Sequence, residues 1–150
     1  MKYDISALGN ALVDTQYMVD HDFLDEIGLE ADSMTLASAE EHSPIIDKLE
    51  SMGVESVSDC GGSATNSLVA ASYYGSKCHH VCRVANDEDG KKYLESLQKA
   101  GVQHIGYSKE DSEMPTGKCL IFVTPDAKRT MSSMLGCLLY TSPSPRDVVP

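Results

Sequence analysis

The glycine pair Gly61-Gly62 constrains this sequence most, because it separates a strand-like segment from an Ala-rich helical segment that ends at Gly75. Without a Cβ, both glycines allow a small polar molecule to approach main-chain N–H groups. The N-terminus of a helix also carries free N–H groups and a partial positive charge, which favour hydroxyls, phosphate or carboxylate as neighbours. Asn66, one turn into the helix, adds a side chain that both donates and accepts hydrogen bonds. These features are compatible with a ligand contact, but local spacing alone favours a tight strand-to-helix turn without a ligand.

Strand-like and helix-like segments alternate along the chain, from an opening strand at residues 3–8 to a closing strand that starts at Arg129. Residues 119–123 form an apolar run that suits a strand buried on both faces. This alternation predicts an α/β fold with a mainly parallel sheet. Ligands of such sheets gather outside the carboxyl ends of the strands.

Two helix starts can be predicted from capping residues. Asp20 can cap a short helix before an apolar stretch. Ser38 with Glu41 resembles a capping box, whereas Ser43-Pro44 is an alternative start with proline at the first helical position.

Composition and charge exclude several classes of partner. The chain has 150 residues with 41% hydrophobic content, and its 12 basic against 23 acidic residues give a net charge of −11. This charge repels nucleic acid and anionic membranes, and the sequence has no basic patch to offset it. No apolar run is long enough to span a bilayer, and no secretory signal pattern opens the sequence, so we expect a cytoplasmic protein.

The five cysteines are an odd number without regular spacing, which favours free thiols over a disulfide framework. Cys78, His80 and Cys82 suggest a zinc site at first sight. In a strand they lie on one face over too short and straight a span to enclose a tetrahedral ion. We therefore expect a buried, partly polar strand and no metal site there.

Asp14 is a carboxylate in the mostly apolar run that follows the predicted strand end at Gly9-Asn10. Such an Asp can cap a turn, or it can face a ligand just beyond a strand end. The acidic run 86–89 favours a helix start over a set of metal ligands.

The sequence changes character at Cys137, after which Ser and Pro alternate and prevent regular structure. This stretch resembles an adaptor-derived sequence. We expect residues 1–136 to form the domain and residues 137–150 to be an unrelated, artefactual Ser/Pro tail, with a genuine flexible tail as the alternative.

Several motifs in order resemble the PfkB-type carbohydrate kinases, which have the ribokinase-like fold. They are the segment from Gly9 to Asp14, the segment from Gly61 to Ser67, the later Gly75 and Gly90, and the segments 116–119 and 125–131. The Gly-Gly-Ser-x-x-Asn-Ser form is most similar to the adenosine-kinase-like branch. The resemblance implies a three-layer α/β sandwich with a mainly parallel sheet and a small β-sheet lid, here truncated. Lid strands are expected around residues 15–19, 34–37, 56–60 and 102–108.

The resemblance also implies a reaction, the transfer of the ATP γ-phosphoryl group to the 5′-hydroxyl of adenosine or of a related nucleoside or sugar. ATP and Mg²⁺ are the implied cofactors of the full-length enzyme. By this resemblance Asp14 would accept hydrogen bonds from two ribose hydroxyls, and Gly61, Gly62 and Asn66 would hold the same ring. Ser63 would lie near the base, and Asn10 would shape the turn that carries Asp14. Arg129 would lie on the phosphate side as a permanent cation. A surface turn is the alternative position of Arg129.

The departure from the family pattern is the missing C-terminal half, where the general-base aspartate, the glycine-rich anion hole and most of the ATP site lie. We therefore expect no catalytic residue in this chain, no activity of the fragment, and poor solubility from exposed apolar surface. A monomer and a homodimer are both consistent with the resemblance. A non-catalytic nucleoside-binding module is the alternative function. A dinucleotide-dependent oxidoreductase is disfavoured, because no Gly-x-Gly-x-x-Gly follows the first strand.

Overall fold

The fold consists of alternating strands and helices, as the sequence predicts. The computed structural model describes residues 2–109 and 114–140. In chain order the described strands and helices are β1 (Ile5–Leu8), β2 (Leu12–Met18), α1 (His21–Glu26), β3 (Met34–Leu36), α2 (Ala39–Ser51), β4 (Ser56–Gly61), α3 (Ser63–Tyr73), β5 (Cys78–Ala85), α4 (Glu88–Lys99), β6 (Gln103–Lys109), β7 (Gly117–Val123), β8 (Arg129–Met134) and a 3₁₀ helix (Gly136–Tyr140).

Local capping explains where α1 and α2 begin. The Asp20 side chain accepts a hydrogen bond from the Phe23 N–H at 2.8 Å and caps α1. Ser38 and Glu41 form a reciprocal capping box at the start of α2. Since Pro44 lies inside α2, the alternative helix start at Ser43-Pro44 is wrong.

A three-stranded parallel sheet, in the order β1-β5-β6, forms one half of the structure. Helices α3 and α4 pack on one of its faces, where the core contains Leu68, Cys78, Cys82, Val84, Tyr93 and Leu97. Within residues 2–109 and 114–140 the α-helices that pack mainly on this sheet are α3 and α4, and the 3₁₀ helix also contacts β5. The predicted mainly parallel sheet is therefore confirmed, and the described part supplies two of the three layers.

A five-stranded mixed sheet, in the order β3-β8-β7-β2-β4, forms the other half. Strand β2 pairs parallel with β7 and antiparallel with β4. Helices α1 and α2 bury one face of this sheet around a core of Tyr17, Phe23, Leu24, Leu49, Leu120 and Phe122. The run predicted to be buried on both faces, residues 119–123, is the central strand β7, and its residues 119–122 are buried.

The predicted second sheet is thus present, but one of its expected strands is wrong. Residues 102–108 belong to β6, which pairs parallel with β5 in the other sheet. Strands β7 and β8 join the five-stranded sheet instead, so this sheet is the larger of the two. Strand partners depend on contacts between segments distant in sequence, and the apolar pattern of a single strand does not encode them.

Strand β5 is the buried, partly polar strand that the sequence predicts. Cys78, His80 and Cys82 point to the covered face, with exposed fractions of 1%, 0% and 5%. No helix of the described residues is long and apolar enough to cross a membrane.

The end of the described chain packs against the core. Cys137 and Leu138 in the 3₁₀ helix are buried, with exposed fractions of 0% and 4%. The packed part of the chain therefore extends at least to residue 138, two residues beyond the expected domain end. Residues 141–150 of the expected tail lie outside the described residues, and the assignment of 137–150 as an unrelated tail stays a prediction.

Candidate functional site

The candidate site lies just beyond the carboxyl end of β1, where β2 meets the turn into α3. Asp14 of β2 sits beside Gly61, the last residue of β4, so closely that a Cβ added at Gly61 would overlap the Asp14 carboxyl group. Only glycine fits at position 61 while Asp14 keeps this position. The glycine pair therefore holds a carboxylate against main chain that no Cβ shields.

Gly62 is the N-cap residue of α3 and has a φ of 99°, in the region that favours glycine. A Cβ at this position would overlap the backbone carbonyl oxygen of Asn10. Among the described residues no side chain caps α3, whereas Asp20, Ser38 and Asp87 cap the other three helices. The N–H groups of the first turn of α3 therefore lack protein side-chain partners and can donate to a polar ligand.

The structure brings most of the predicted site residues together. The backbone of Asn10 adjoins Gly62, and Asp14 adjoins Gly61. Ser63 and Asn66 lie in the first turn of α3, and both are exposed, as is Asn10.

The carboxylate of Asp14 has two charged neighbours. In the antiparallel pair of β2 and β4, Asp14 lies directly opposite Asp59, whose Oδ1 accepts a hydrogen bond from the Cys60 N–H at 2.7 Å. Partial burial raises the pKa of Asp14, the Arg129 guanidinium opposes this increase, and Asp59 adds to it. Arg129 is exposed and near enough to act on Asp14, which agrees with a position on the same side of the sheet.

Beneath the glycine pair runs a buried hydrogen-bond chain that the sequence analysis missed. His80 Nδ1 lies 3.3 Å from the carbonyl oxygen of Ala7. Because a carbonyl oxygen can only accept, Nδ1 carries the proton and donates it to this hydrogen bond. His80 Nε2 then accepts from the Thr65 hydroxyl at 3.1 Å, and the Tyr93 hydroxyl donates to Thr65 Oγ1 at 2.6 Å. Burial lowers the pKa of His80, which favours the neutral ring that this chain requires.

This series of hydrogen bonds connects the first turn of α3 to β1, β5 and α4. Tyr93 also lies 3.5 Å from the carbonyl oxygen of Gly61. The sequence places Thr65 next to Asn66 and puts Tyr93 on an apolar helical face, but neither signal shows that the two side chains meet. These buried hydrogen bonds hold the glycine turn in place on its inner side, and its outer side is accessible to a ligand.

A second cluster fastens β7 to the start of α4. Asp87 accepts hydrogen bonds from the Gly90 N–H at 2.8 Å, from the Thr116 hydroxyl at 2.6 Å and from the Thr116 N–H at 2.8 Å. The Thr116 hydroxyl oxygen in turn accepts from the Ala85 N–H at 2.9 Å. Burial alone would raise the pKa of Asp87, but these hydrogen bonds lower it. The acidic run 86–89 thus serves as a helix start, as predicted.

The chemistry of the candidate site suits neutral hydroxyl groups. The Asp14 carboxylate can accept from two adjacent hydroxyls, while the N–H groups at the start of α3 donate. The described residues contain no group of three or more His, Cys, Asp or Glu side chains that could hold a metal ion. The fold defines an α/β protein of the ribokinase-like class, in which Asp14 lies beside the glycine pair at the uncapped start of α3.

Comparison with known proteins agrees with this class. The model of the pfkB family of carbohydrate kinases matches residues 34–145, and the chain belongs to that family. Over 137 residues the chain is 27% identical to adenosine kinase 1 of Arabidopsis thaliana, and the match covers 89% of this chain and 38% of that protein.

Two solved structures show the same fold. The probable sugar kinase protein from Rhizobium etli CFN 42 matches with a TM-score of 0.82 and 27% identity, over 97% of this chain and 42% of that one. Anopheles gambiae adenosine kinase, in complex with P1,P4-di(adenosine-5) tetraphosphate, matches with a TM-score of 0.78 and 25% identity, over 95% and 43% of the two chains. The chain therefore spans about two-fifths of the length of these relatives, consistent with an N-terminal part of a pfkB kinase.

Proposed function

We propose that this chain is the substrate-binding N-terminal part of a kinase that transfers the ATP γ-phosphoryl group to the 5′-hydroxyl of adenosine or a related nucleoside or sugar. The observation that carries the proposal is the Asp14 carboxylate held against Gly61 at the uncapped start of α3. A ribose presents two adjacent hydroxyls, and one carboxylate can accept a hydrogen bond from each. Family membership, with adenosine and sugar kinases among the relatives, supports this class of substrate.

The remaining site residues have roles that follow from their positions. The exposed side chains of Ser63 and Asn66 extend the site along the first turn of α3. Asn10 closes the turn that leads to Asp14, and Arg129 supplies a permanent cation on the same side of the five-stranded sheet. This sheet acts as the lid over the sugar, and its closure excludes water that would compete for the phosphoryl group.

ATP and Mg²⁺ belong to the whole enzyme in this proposal. The described residues gather no set of three or more His, Cys, Asp or Glu side chains that could hold a metal ion by themselves. Phosphoryl transfer requires a positioned hydroxyl, a base, a metal and the phosphates together. This chain supplies the hydroxyl-binding side, and we expect it to bind substrate without transferring phosphate.

Calorimetric titration of the chain with adenosine tests the proposal. We expect Asp14→Asn to weaken binding by about 10-fold or more, because hydrogen bonds to a charged group contribute roughly 1.5–3 kcal/mol. Loss of both ribose hydroxyls, in 2′,3′-dideoxyadenosine, should weaken binding to the unchanged chain to a similar extent.

The matched control is Asp47→Asn, which removes an exposed carboxylate on α2. It should leave the affinity for adenosine unchanged. Equal affinities of the Asp14→Asn and Asp47→Asn variants, or of adenosine and the dideoxy compound, would rule out recognition of the sugar by Asp14.

A further inference from the structure

The hydrogen bonds that join Tyr93, Thr65 and His80 lie under the glycine pair in a closed part of the core. We call these three residues the buried network. Their exposed fractions are 1%, 0% and 0% in that order. On the side of β1, Gly9 lies so close to Ala64 that a Cβ at position 9 would overlap the Ala64 side chain. Each polar side-chain atom of the buried network has a hydrogen-bond partner, so the network is complete without water.

Thr65 does not use its hydroxyl as a helical threonine commonly does. Ser and Thr side chains within a helix often donate to the carbonyl oxygen four residues earlier, and Ser67 of α3 does so at 2.9 Å. The corresponding carbonyl for Thr65 belongs to Gly61, but the Thr65 hydroxyl donates to His80 Nε2 instead. The Tyr93 hydroxyl lies 2.6 Å from Thr65 Oγ1 and 3.5 Å from the Gly61 carbonyl oxygen. The side-chain hydroxyl that faces this carbonyl therefore comes from α4 and not from α3.

Stability alone does not require polar groups at these positions. Apolar groups of the same shape can replace both partners of a buried hydrogen bond at little cost in free energy. A fully satisfied buried network does, however, permit a single arrangement of the groups that it joins. The groups joined here are the first turn of α3 and the main chain of Gly61, which is in contact with the Asp14 carboxyl group. The buried network thus restricts the surface against which Asp14 is held.

We propose that Thr65 and Tyr93 are positioning residues for the substrate. Through Gly61 they hold the Asp14 carboxylate where it can accept from two adjacent hydroxyls of a ribose. They thereby set how strongly the site distinguishes a ribose from a sugar that lacks these hydroxyls. Both side chains are buried, so they act without touching the substrate. The inference rests on the proposed function, because it assigns the sugar hydroxyls to Asp14.

The test measures a ratio of two affinities for each protein. The full 150-residue chain and its variants are titrated by calorimetry with adenosine and with 2′,3′-dideoxyadenosine. A smaller folded fraction lowers both apparent affinities by the same factor, so the ratio reports on the site and not on stability. We expect Thr65→Val and Tyr93→Phe to reduce the ratio of adenosine to dideoxy affinity at least threefold, because each removes one hydroxyl and nearly keeps the side-chain shape.

Two further variants separate positioning from general packing. Thr65→Ser keeps the hydroxyl and should leave the ratio within twofold of that of the unchanged chain. The matched control is Ser72→Ala at the far end of α3, where the Ser72 hydroxyl donates to the Ala100 carbonyl oxygen at 2.7 Å. This variant also removes a hydroxyl that joins α3 to the end of α4, and its ratio should stay within twofold.

The outcomes distinguish this inference from the proposed function. Equal affinities of the unchanged chain for the two ligands would overturn the proposed function and this inference with it. If Asp14→Asn abolishes the discrimination but Thr65→Val and Tyr93→Phe leave the ratio unchanged, the inference alone is overturned. A fall of the ratio in Ser72→Ala as large as in Thr65→Val would also overturn it, because any loosening of α3 would then have the same effect.

Discussion

Asp14 is the residue on which the proposed function depends, and its surroundings make it costly to the fold. Its carboxylate is partly buried and lies directly opposite Asp59 on the neighbouring strand. Like charges in opposite positions of a sheet are destabilising. Such a cost is expected where a side chain serves binding more than stability.

We therefore predict that Asp14→Asn stabilises the chain at pH 7, by about 0.2–1 kcal/mol. The pKa of Asp14 is raised in the folded chain above its ordinary value of 3.8, so the ionised form disfavours folding. The gain in unfolding free energy of the variant should be greatest at pH values above the pKa of Asp14 in the folded chain. It should vanish below the pKa in the unfolded chain, because Asp14 is then protonated in both states. Urea unfolding of both proteins from pH 7 to pH 3.5 measures this difference. An advantage that does not change with pH would show that the charge of Asp14 is not the cause.

Gly61 provides a second test at the residue scale. Gly61→Ala should destabilise the chain by about 1–3 kcal/mol, because the new Cβ overlaps the Asp14 carboxyl group. In an Asp14→Ala background the same change should cost less than half as much, because the space is then free. A double-mutant cycle of unfolding free energies measures this coupling, and equal costs in both backgrounds would contradict the packing described at the site.

At the scale of helices and strands, the short-range features could be predicted from the sequence. The cap of α1 at Asp20 and the capping box of α2 involve residues three positions apart, so the sequence pattern indicates both, although it also allows a start of α2 at Ser43-Pro44. The glycine pair before α3 is local in the same way. Its proximity to Asp14 could be expected from the family resemblance and not from spacing, since β2 and β4 meet only in the folded sheet.

The hydrogen-bond chain and the strand partners could not be predicted, because they join distant segments. Thr65 meets His80 and Tyr93 across separations of 15 and 28 residues. The apolar pattern of residues 102–108 predicts a strand but is equally compatible with either sheet, and only its parallel pairing with β5 decides the matter. Sequence patterns therefore predict whether a segment is a strand or a helix better than they predict which segments pair with it.

The junction between β7 and α4 supports a prediction at this scale. Asp87→Ala removes a helix cap and two hydrogen bonds to Thr116, and we expect a loss of about 2–4 kcal/mol in unfolding free energy. The control is Asp20→Ala, which removes the cap of the short helix α1 and should cost about 1 kcal/mol. Chemical unfolding at pH 7 compares the two variants. Similar losses would show that the hydrogen bonds to Thr116 contribute little.

The stabilising effect of Asp87 should also depend on pH. Its pKa is lowered in the folded chain, so the contribution is present above the ordinary value of 3.8 and is lost as the pH falls through the folded pKa. The difference in unfolding free energy between Asp87→Ala and the unchanged chain should therefore narrow on acidification, as for Asp14→Asn, but with the opposite sign, because here the unchanged chain is the more stable. A difference that widens toward acid pH would contradict this account of Asp87.

At the scale of the whole molecule, the described residues combine a five-stranded mixed sheet with a three-stranded parallel sheet. The chain spans about two-fifths of the length of its relatives. In the proposed function the described residues supply the substrate side of the enzyme, and we expect the transfer machinery outside them. Binding and transfer should accordingly be separable in this protein.

The most direct test of this account is the transfer of radiolabelled γ-phosphate from ATP to adenosine. The measurement compares the chain with a chimera in which residues 1–140 are joined to the carboxyl-terminal remainder of Arabidopsis thaliana adenosine kinase 1, with and without Asp14→Asn. We predict no transfer by the chain alone, transfer by the chimera, and a loss of roughly 10- to 100-fold in the Asp14→Asn chimera, in line with the loss of charged hydrogen bonds. Transfer by the chain alone, a folded chimera without transfer, or an Asp14→Asn chimera as active as its parent would contradict the account.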